Sequence, residues 1–244
     1  MVIPSYNSGA RLLDTVQAAL AEWPAVWVVL DGSTDGSEEA LGQCRGLRLI
    51  RRAKNGGKGA AVLDALRLAA AAGFTHALVM DADGQHPAGH IRPFLHASQA
   101  RPDAMVLGVP QFGPDAPALR VRGRRVSNWW AQLETGWAGI SDSLFGFRVY
   151  PISKLLPLME RSAWMRRFDF DPEAAVRLSW AGVPAINLPV PVRYLRPDEG
   201  GVSHFRYGRD NLMLTAMHAR LVAGALARLP TLARRCARML ERSK

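Results

Sequence analysis

The sequence predicts an α/β fold, a mostly parallel sheet flanked by helices, and three features predict it. Short apolar runs rich in β-branched residues recur through the first hundred residues, helical patterns separate them, and the runs stop at glycine or aspartate. Strands alternating with helices of this length require right-handed crossovers and parallel pairing. In such a sheet ligands bind beyond the carboxyl ends of the strands.

The elements follow in order. Leu12, Leu13, Val16, Ala19, Leu20 and Trp23 recur at helical spacing, with Ser8 as the expected N-cap. Val26 to Leu30 is a strand that stops at Asp31-Gly32, and Leu47 to Ile50 is another. Gly59 to Ala72 is a helix closed by Gly73. Ala77 to Met80 runs into Asp81, and Ala104 to Leu107 into Gly108. Asn7, Asp31 and the Asp81/Asp83 pair therefore converge on one edge of the sheet. Beyond this point the pattern loosens. Val109 to Arg122 holds three prolines and reads as a loop, Val126 to Trp137 as a helix and Phe145 to Tyr150 as a strand. Pro172 suits the first turn of a helix reaching Ala181, and the prolines of Ala185 to Leu195 suit an edge strand. Arg196 to Gly208, with Gly200-Gly201, reads as a loop that would serve as a lid. Residues 1–208 are expected to form the catalytic domain, and 209–244 a helical, basic, amphipathic extension.

Composition bounds the function. The chain has 244 residues, 48% hydrophobic and 21% charged, enough for one substantial core and too apolar for a disordered chain. Cys44 and Cys236 have no metal-ligand or disulfide spacing, which fits a reducing, cytoplasmic compartment. Met1 to Asn7 lacks the apolar stretch of an export signal. No run reaches the roughly 18 apolar residues of a membrane span; Leu212 to Ala227 is interrupted by His218 and Arg220. The net charge is +10, and His204 to Lys244 alone carries nine Lys/Arg against two Asp/Glu. That asymmetry points to an anionic partner, nucleic acid or lipid surface. No aromatic–basic interleaving on a strand, helix-turn-helix or zinc pattern supports nucleic acid. In the tail, Leu229, Leu232, Ala233, Cys236, Met239 and Leu240 share helical spacing, while Arg228, Arg235, Arg238 and Arg242 gather on another face. Such a helix suits an anionic membrane surface, or packing on the domain or on a second copy of the chain.

The chemistry is concentrated at the strand ends. Asp81-Ala82-Asp83 leads through Gly84 to Gln85 and His86, so two carboxylates can turn toward one cation, with the Gln85 amide oxygen as a further ligand. Few, hard oxygen ligands suit Mg²⁺ or Mn²⁺ held jointly with phosphate oxygens. Asp31-Gly32-Ser33-Thr34-Asp35-Gly36 fails as a calcium loop, because Gly42 stands where the bidentate acid belongs. It remains either a carboxylate for a base N–H or a turn with a helix cap. Lys58, at the start of a helix after Asn55-Gly56-Gly57, is electrostatically unfavourable unless an anion lies nearby.

The ordered set Pro4-Ser5-Tyr6-Asn7, Val28 to Ser37, Asn55 to Ala61 and Met80 to Pro87 resembles family 2 glycosyltransferases, and within them the dolichyl- and polyprenyl-phosphate sugar transferases. The resemblance implies a GT-A-like nucleotide-diphospho-sugar fold over at least residues 2–150. It implies that Pro4, Tyr6 and Asn7 line the nucleoside pocket, Asp31 contacts the base, Lys58 lies near the nucleotide, and Asp81, Asp83 and Gln85 hold the metal. Relatives often carry two aspartates where this chain has Leu30-Asp31, which leaves UDP and GDP donors both open. Asp142 to Arg148 resembles the family's Asp-x-x-x-Gly-Phe-Arg segment, implying catalytic positions for Asp142 and Arg148. Read from the residues, Asp142 is a carboxylate free to face the cleft, whereas Arg148 serves equally as a structural ion-pair partner. Glu173 matches a common acidic position and reads equally as a helix-start acid. Gly200 to Phe205, flanked by Arg193, Arg196 and Arg206, resembles a mobile loop that closes over phosphate. The expected activity is metal-dependent sugar transfer to a lipid or lipid-linked acceptor by a peripheral protein on the inner face of the cell membrane. The alternatives are a polyprenyl-phosphate sugar synthase and a non-catalytic nucleotide-sugar-binding module.

Overall fold

The computed structural model describes residues 1–42, 44–113, 116, 118–192 and 207–234. The expected lid, with Arg193, Arg196 and Arg206, and the Arg235–Arg242 part of the tail lie outside the described residues. Strands β1 (Val2–Ser5), β2 (Val26–Asp31), β3 (Leu47–Arg52), β4 (His76–Val79), β5 (Met105–Phe112), β6 (Arg148–Pro151) and β7 (Ala185–Val192) form one sheet in the order β3-β2-β1-β4-β6-β5-β7. Pairing is parallel except that β6 runs antiparallel to both β4 and β5. The sheet is thus mixed, with a parallel half that carries the strand-end motifs.

The crossovers of that half are the short helix α2 (Ser37–Leu41) and two long helices, α1 (Ala10–Glu22) and α3 (Lys58–Ala71). The long helices cover opposite faces, which explains the continuous apolar run of β2. Trp27 and Val29 point into a core with Ala61, Ala65 and Leu66 of α3. Val26, Val28 and Leu30 point into another with Leu12, Val16 and Ala19 of α1. A strand covered on both faces needs no alternation. The second core also takes Ile91 and Phe94 from α4 (Ile91–Ala100), while the first takes Leu155 and Met159 from α6 (Ile152–Glu160) and Phe170 and Ala174 from α7 (Phe170–Trp180). Each fully buried aliphatic side chain contributes about 1.5–3 kcal/mol.

Several boundaries differ from the sequence reading. The Pro-rich stretch after Val109 is not a loop throughout: β5 continues to Phe112 by pairing residue for residue with β7. β6 pairs only Val106 and Leu107 of β5, so Pro110 lies where β5 has a single neighbour. β6 starts at Arg148 rather than Phe145, because Phe145 and Phe147 turn to pack on the His86 ring. The N-cap of α1 is Gly9, and the Ser8 hydroxyl instead accepts from Ser5 Oγ at 2.9 Å.

The last two long helices, α5 (Ala118–Thr135) and α8 (Tyr207–Leu226), pack together on α7. Ala131, Val176, Met217 and Leu221 form their shared core. Beneath it His218 lies between Glu134 Oε1 at 2.7 Å and Ser127 Oγ at 3.0 Å. α8 crosses residue 208 and packs on the sheet-bearing body through this face. Among the described residues no helix is long and apolar enough to cross a membrane.

Candidate active site

The carboxyl ends of β1 and β2 are tied to each other. Asn7, in a left-handed conformation with φ 47°, donates its N–H to Ser33 Oγ at 3.1 Å and accepts from the Thr34 N–H through Oδ1 at 2.7 Å. Pro4 is buried in β1, whereas Tyr6 beside it is 38% exposed at the mouth. Asp31 is buried, and its carboxylate accepts the N–H groups of Gly56 and Gly57 at 2.9 and 2.7 Å. The Arg52 guanidinium lies 2.9 Å away as an ion pair. Asp31 therefore holds the Asn55–Gly57 loop against the end of β2. Gly32 is required at this junction, because its φ is 73° and a Cβ would stand 2.6 Å from the Asn55 nitrogen.

That loop delivers Lys58 to a set of acids. Its ammonium lies 2.5 Å from Asp81 Oδ1 and 2.5 Å from Asp171 Oδ2. Asp81 Oδ2 faces His86 Nε2 at 3.4 Å, and Asp83 Oδ1 accepts the Gln85 N–H at 3.0 Å. The Gln85 side-chain amide makes no hydrogen bond within the described residues. Gly146 closes the site from above: a Cβ there would collide with the Asp81 carboxylate and stand 2.6 Å from Lys58 Nζ. Only a glycine lets this segment come so near the charged pair.

Asp81 and Asp171 pair with one ammonium and Asp83 stands beside them, while the buried Arg148 guanidinium acts on Asp171 from the other side. Burial opposes ionisation at Asp81, yet the Lys58 ammonium and the His86 ring hold it well below the usual carboxylate range. Burial also opposes the charge on Lys58, but Asp171 and Asp81 overcome it and keep the ammonium protonated beyond its ordinary value. For Asp83 and Asp171 burial wins and both are raised. Asp171 Oδ1 and His86 Nδ1 are buried without a partner. Buried polar atoms without a partner are uncommon, and a bound ligand or ion is one way to satisfy them. Among the described residues no three His, Cys, Asp or Glu side chains form a ready-made metal cage. A hard dication therefore fits here only if a ligand's own oxygens complete its shell.

Asp142 and Arg148 lie in the interior beside Gly146. Asp142 is 2% exposed, and its carboxylate accepts from Arg124 at 2.6 Å, Asn128 at 3.1 Å and the N–H groups of Leu144 and Phe145 at 2.9 and 2.7 Å. It caps the turn before β6 instead of facing the cleft. Arg148 is 0% exposed and donates to the carbonyl oxygens of Phe145, Asp171 and Asp142 and to the Tyr150 hydroxyl. Both are interior groups, and each charged nitrogen or oxygen has at least one partner. Glu173 is likewise buried, between Arg177 at 2.7 Å and Arg220 at 3.0 Å. Asp171 is the site residue that sequence reading missed. Phe170-Asp171-Pro172 reads as a helix start, and nothing local marks its contact with Lys58, 113 residues away.

The Glycosyl transferase family 2 profile matches residues 1–167. Solved structures of glucosyl-3-phosphoglycerate synthase from Mycobacterium tuberculosis share the fold. One, in complex with Mn²⁺, UDP and glucosyl-3-phosphoglycerate, aligns with a TM-score of 0.61 at 19% identity over 93% of this chain and 78% of that chain. Another, with Mn²⁺, UDP-glucose and phosphoglyceric acid, gives the same TM-score of 0.61, identity of 19% and coverage of 93% and 78%. None of the curated proteins compared with the chain matches it.

Proposed function

The chain belongs to glycosyl transferase family 2, and we propose that it transfers a sugar from a nucleoside diphosphate to a lipid or lipid-linked acceptor on the cytoplasmic face of a membrane. The observation that carries the donor half is the Asp81–Lys58–Asp171 set with Asp83 beside it, a cluster of acids around a buried lysine under Gly146. Asp81, Asp83 and the Gln85 amide would hold Mg²⁺ or Mn²⁺, which when bound would neutralise charge on the departing diphosphate. Lys58 is fixed by two carboxylates and adds a preorganised positive charge at the same place. Asp31 keeps the loop that carries Lys58 in register with β2. The Mn²⁺ and UDP in the Mycobacterium relatives favour UDP over GDP as the donor nucleotide.

For the acceptor, an ionised phosphate oxygen suits the site better than a hydroxyl. A hydroxyl needs a base to take its proton, and Asp142, the candidate for that task, is committed to four donors. A polyprenyl phosphate is already a nucleophile. The membrane half is supported by the outer face of α5, where Arg122, Arg125, Val126 and Trp129 are exposed at i, i+3, i+4 and i+7 spacing. Trp129 is 51% exposed and Trp137, just past the helix, 52%. Tryptophan with arginine on one face suits the headgroup layer, where each basic residue contributes roughly 1 kcal/mol.

The test is transfer of radiolabelled sugar from UDP- and GDP-linked donors to vesicles carrying a polyprenyl phosphate. The expected result is a glycolipid product that requires Mg²⁺ or Mn²⁺ and disappears in Asp83→Ala. Label that reaches only a soluble acceptor would contradict the membrane half.

A further inference from the structure

Lys58 stands between two carboxylates that are not equivalent. Its ammonium is 2.5 Å from each, but the Asp81 side chain is 31% exposed and that of Asp171 only 8%. Asp81, just past β4, is therefore the acid in front of the lysine, and Asp171 is the acid behind it. Asp171 is also the more firmly held. It lies in the first turn of α7 next to the fully buried Phe170, and its backbone carbonyl accepts from Arg148 at 2.6 Å.

The two acids differ in what else they touch. Asp81 is engaged at both oxygens, Oδ1 by Lys58 and Oδ2 by His86 Nε2 at 3.4 Å. Asp171 Oδ2 accepts from Lys58, and Oδ1 is buried without a partner, so among the described residues only the lysine hydrogen-bonds to this carboxylate. A divalent ion recruited to Asp81 must compete there with the ammonium, since two cations on one carboxylate repel each other. The more Lys58 depends on Asp81, the weaker the ion is held. An acid on the far side of the lysine lessens that dependence.

We propose that Asp171 is a positioning residue that acts through Lys58: it draws the ammonium back from Asp81 and so leaves Asp81 available to a divalent ion. The assignment rests on the metal-dependent donor site proposed above. Asp171 itself holds neither the ion nor the nucleotide. Its part is to keep the lysine charge in the site without letting that charge occupy the exposed acid.

The experiment is titration of the full chain with Mn²⁺ at saturating UDP, read by the electron paramagnetic resonance signal of the free ion. The variants form a double-mutant cycle over Lys58 and Asp171. Lys58→Met, which removes the competitor, should bind Mn²⁺ at least threefold more tightly than the native chain. Asp171→Asn leaves Lys58 with Asp81 alone and should bind at least fivefold more weakly. Once Lys58→Met is present, adding Asp171→Asn should change the affinity less than twofold. Lys58→Gln provides a second background, and the thermal transition of each variant checks that it is folded. The proposal is overturned if Asp171→Asn binds as the native chain does, or if neither Lys58 variant binds more tightly. It is also overturned if Asp171→Asn weakens binding by the same factor with and without Lys58, the signature of a carboxylate that acts on the ion directly. A native chain that binds no Mn²⁺ with or without UDP would instead defeat the donor site, and this proposal with it.

Discussion

Two buried polar groups flank Gly146, and they differ in how completely they are satisfied. On one side Asp142 and Arg148 have a partner for each charged atom, so their burial contributes to the fold. On the other, Asp81, Asp83 and Asp171 crowd one lysine, and Asp171 Oδ1 and His86 Nδ1 lack partners. Motif matching treats the two sides alike, since both are aspartates at strand ends. Hydrogen-bond accounting separates them: one network is satisfied within the protein, and the other leaves buried polar atoms that a ligand could satisfy.

The sharpest way to break this comparison is to remove one acid from each side. Asp142→Ala strips the partner from Arg124 and from two backbone N–H groups, and should cost about 3–5 kcal/mol of stability. Asp83→Asn removes a carboxylate whose ionisation burial already opposes, so stability should hold or rise by up to about 1 kcal/mol while metal-dependent nucleotide binding is lost. Urea denaturation of the two variants checks both directions. If Asp142→Ala unfolds no more easily than Asp83→Asn, the distinction is wrong.

A smaller effect is expected at the boundary between the two sides. Gly146→Ala would drive a methyl group into Asp81 and Lys58. It should cost about 1–3 kcal/mol by overpacking and weaken nucleotide binding at least tenfold, read by calorimetry.

Alkaline pH addresses the scaffold and the site together. The folded-state values of Lys58 and Tyr150 are both raised, Lys58 by Asp171 and Asp81 against the pull of burial, and Tyr150 by burial to about 12. The unfolded chain therefore releases these protons first. Their contribution is complete below about pH 10, and stability should fall as pH climbs from there toward 12. A denaturation midpoint that is flat over that window would contradict the buried pairing.

The smallest effect on stability is expected at the outer face of α5. Trp129→Glu should change stability by no more than about 0.5 kcal/mol but reduce co-sedimentation with anionic vesicles severalfold. Unchanged sedimentation would remove α5 from the membrane argument.

Much of the parallel half of the sheet was legible in the sequence. The apolar runs of β2 and β4, Asp31 and Asp81 at or just past their ends, and Lys58 opening α3 all announce themselves locally. β1 shows only through Asn7 just past its end, because it has four residues, one of them proline. The full length of β5 escaped because its prolines are tolerated only once β7 is in place. Asp171 and the commitments of Asp142 escaped for the same reason. Their partners, Lys58, Arg124 and Asn128, arrive from distant helices, and neither periodicity nor motif records which face of a helix will meet which loop.

The most direct test of the account is thermal stability with UDP and GDP, each with and without Mn²⁺, for the native chain and Asp83→Ala. At about 100 times the dissociation constant a ligand stabilises by roughly 2.7 kcal/mol, which is readily resolved. The account predicts a shift with UDP that requires Mn²⁺ and vanishes in Asp83→Ala. A native chain that shifts with neither nucleotide, or an Asp83→Ala variant that shifts as far as the native chain, would contradict it.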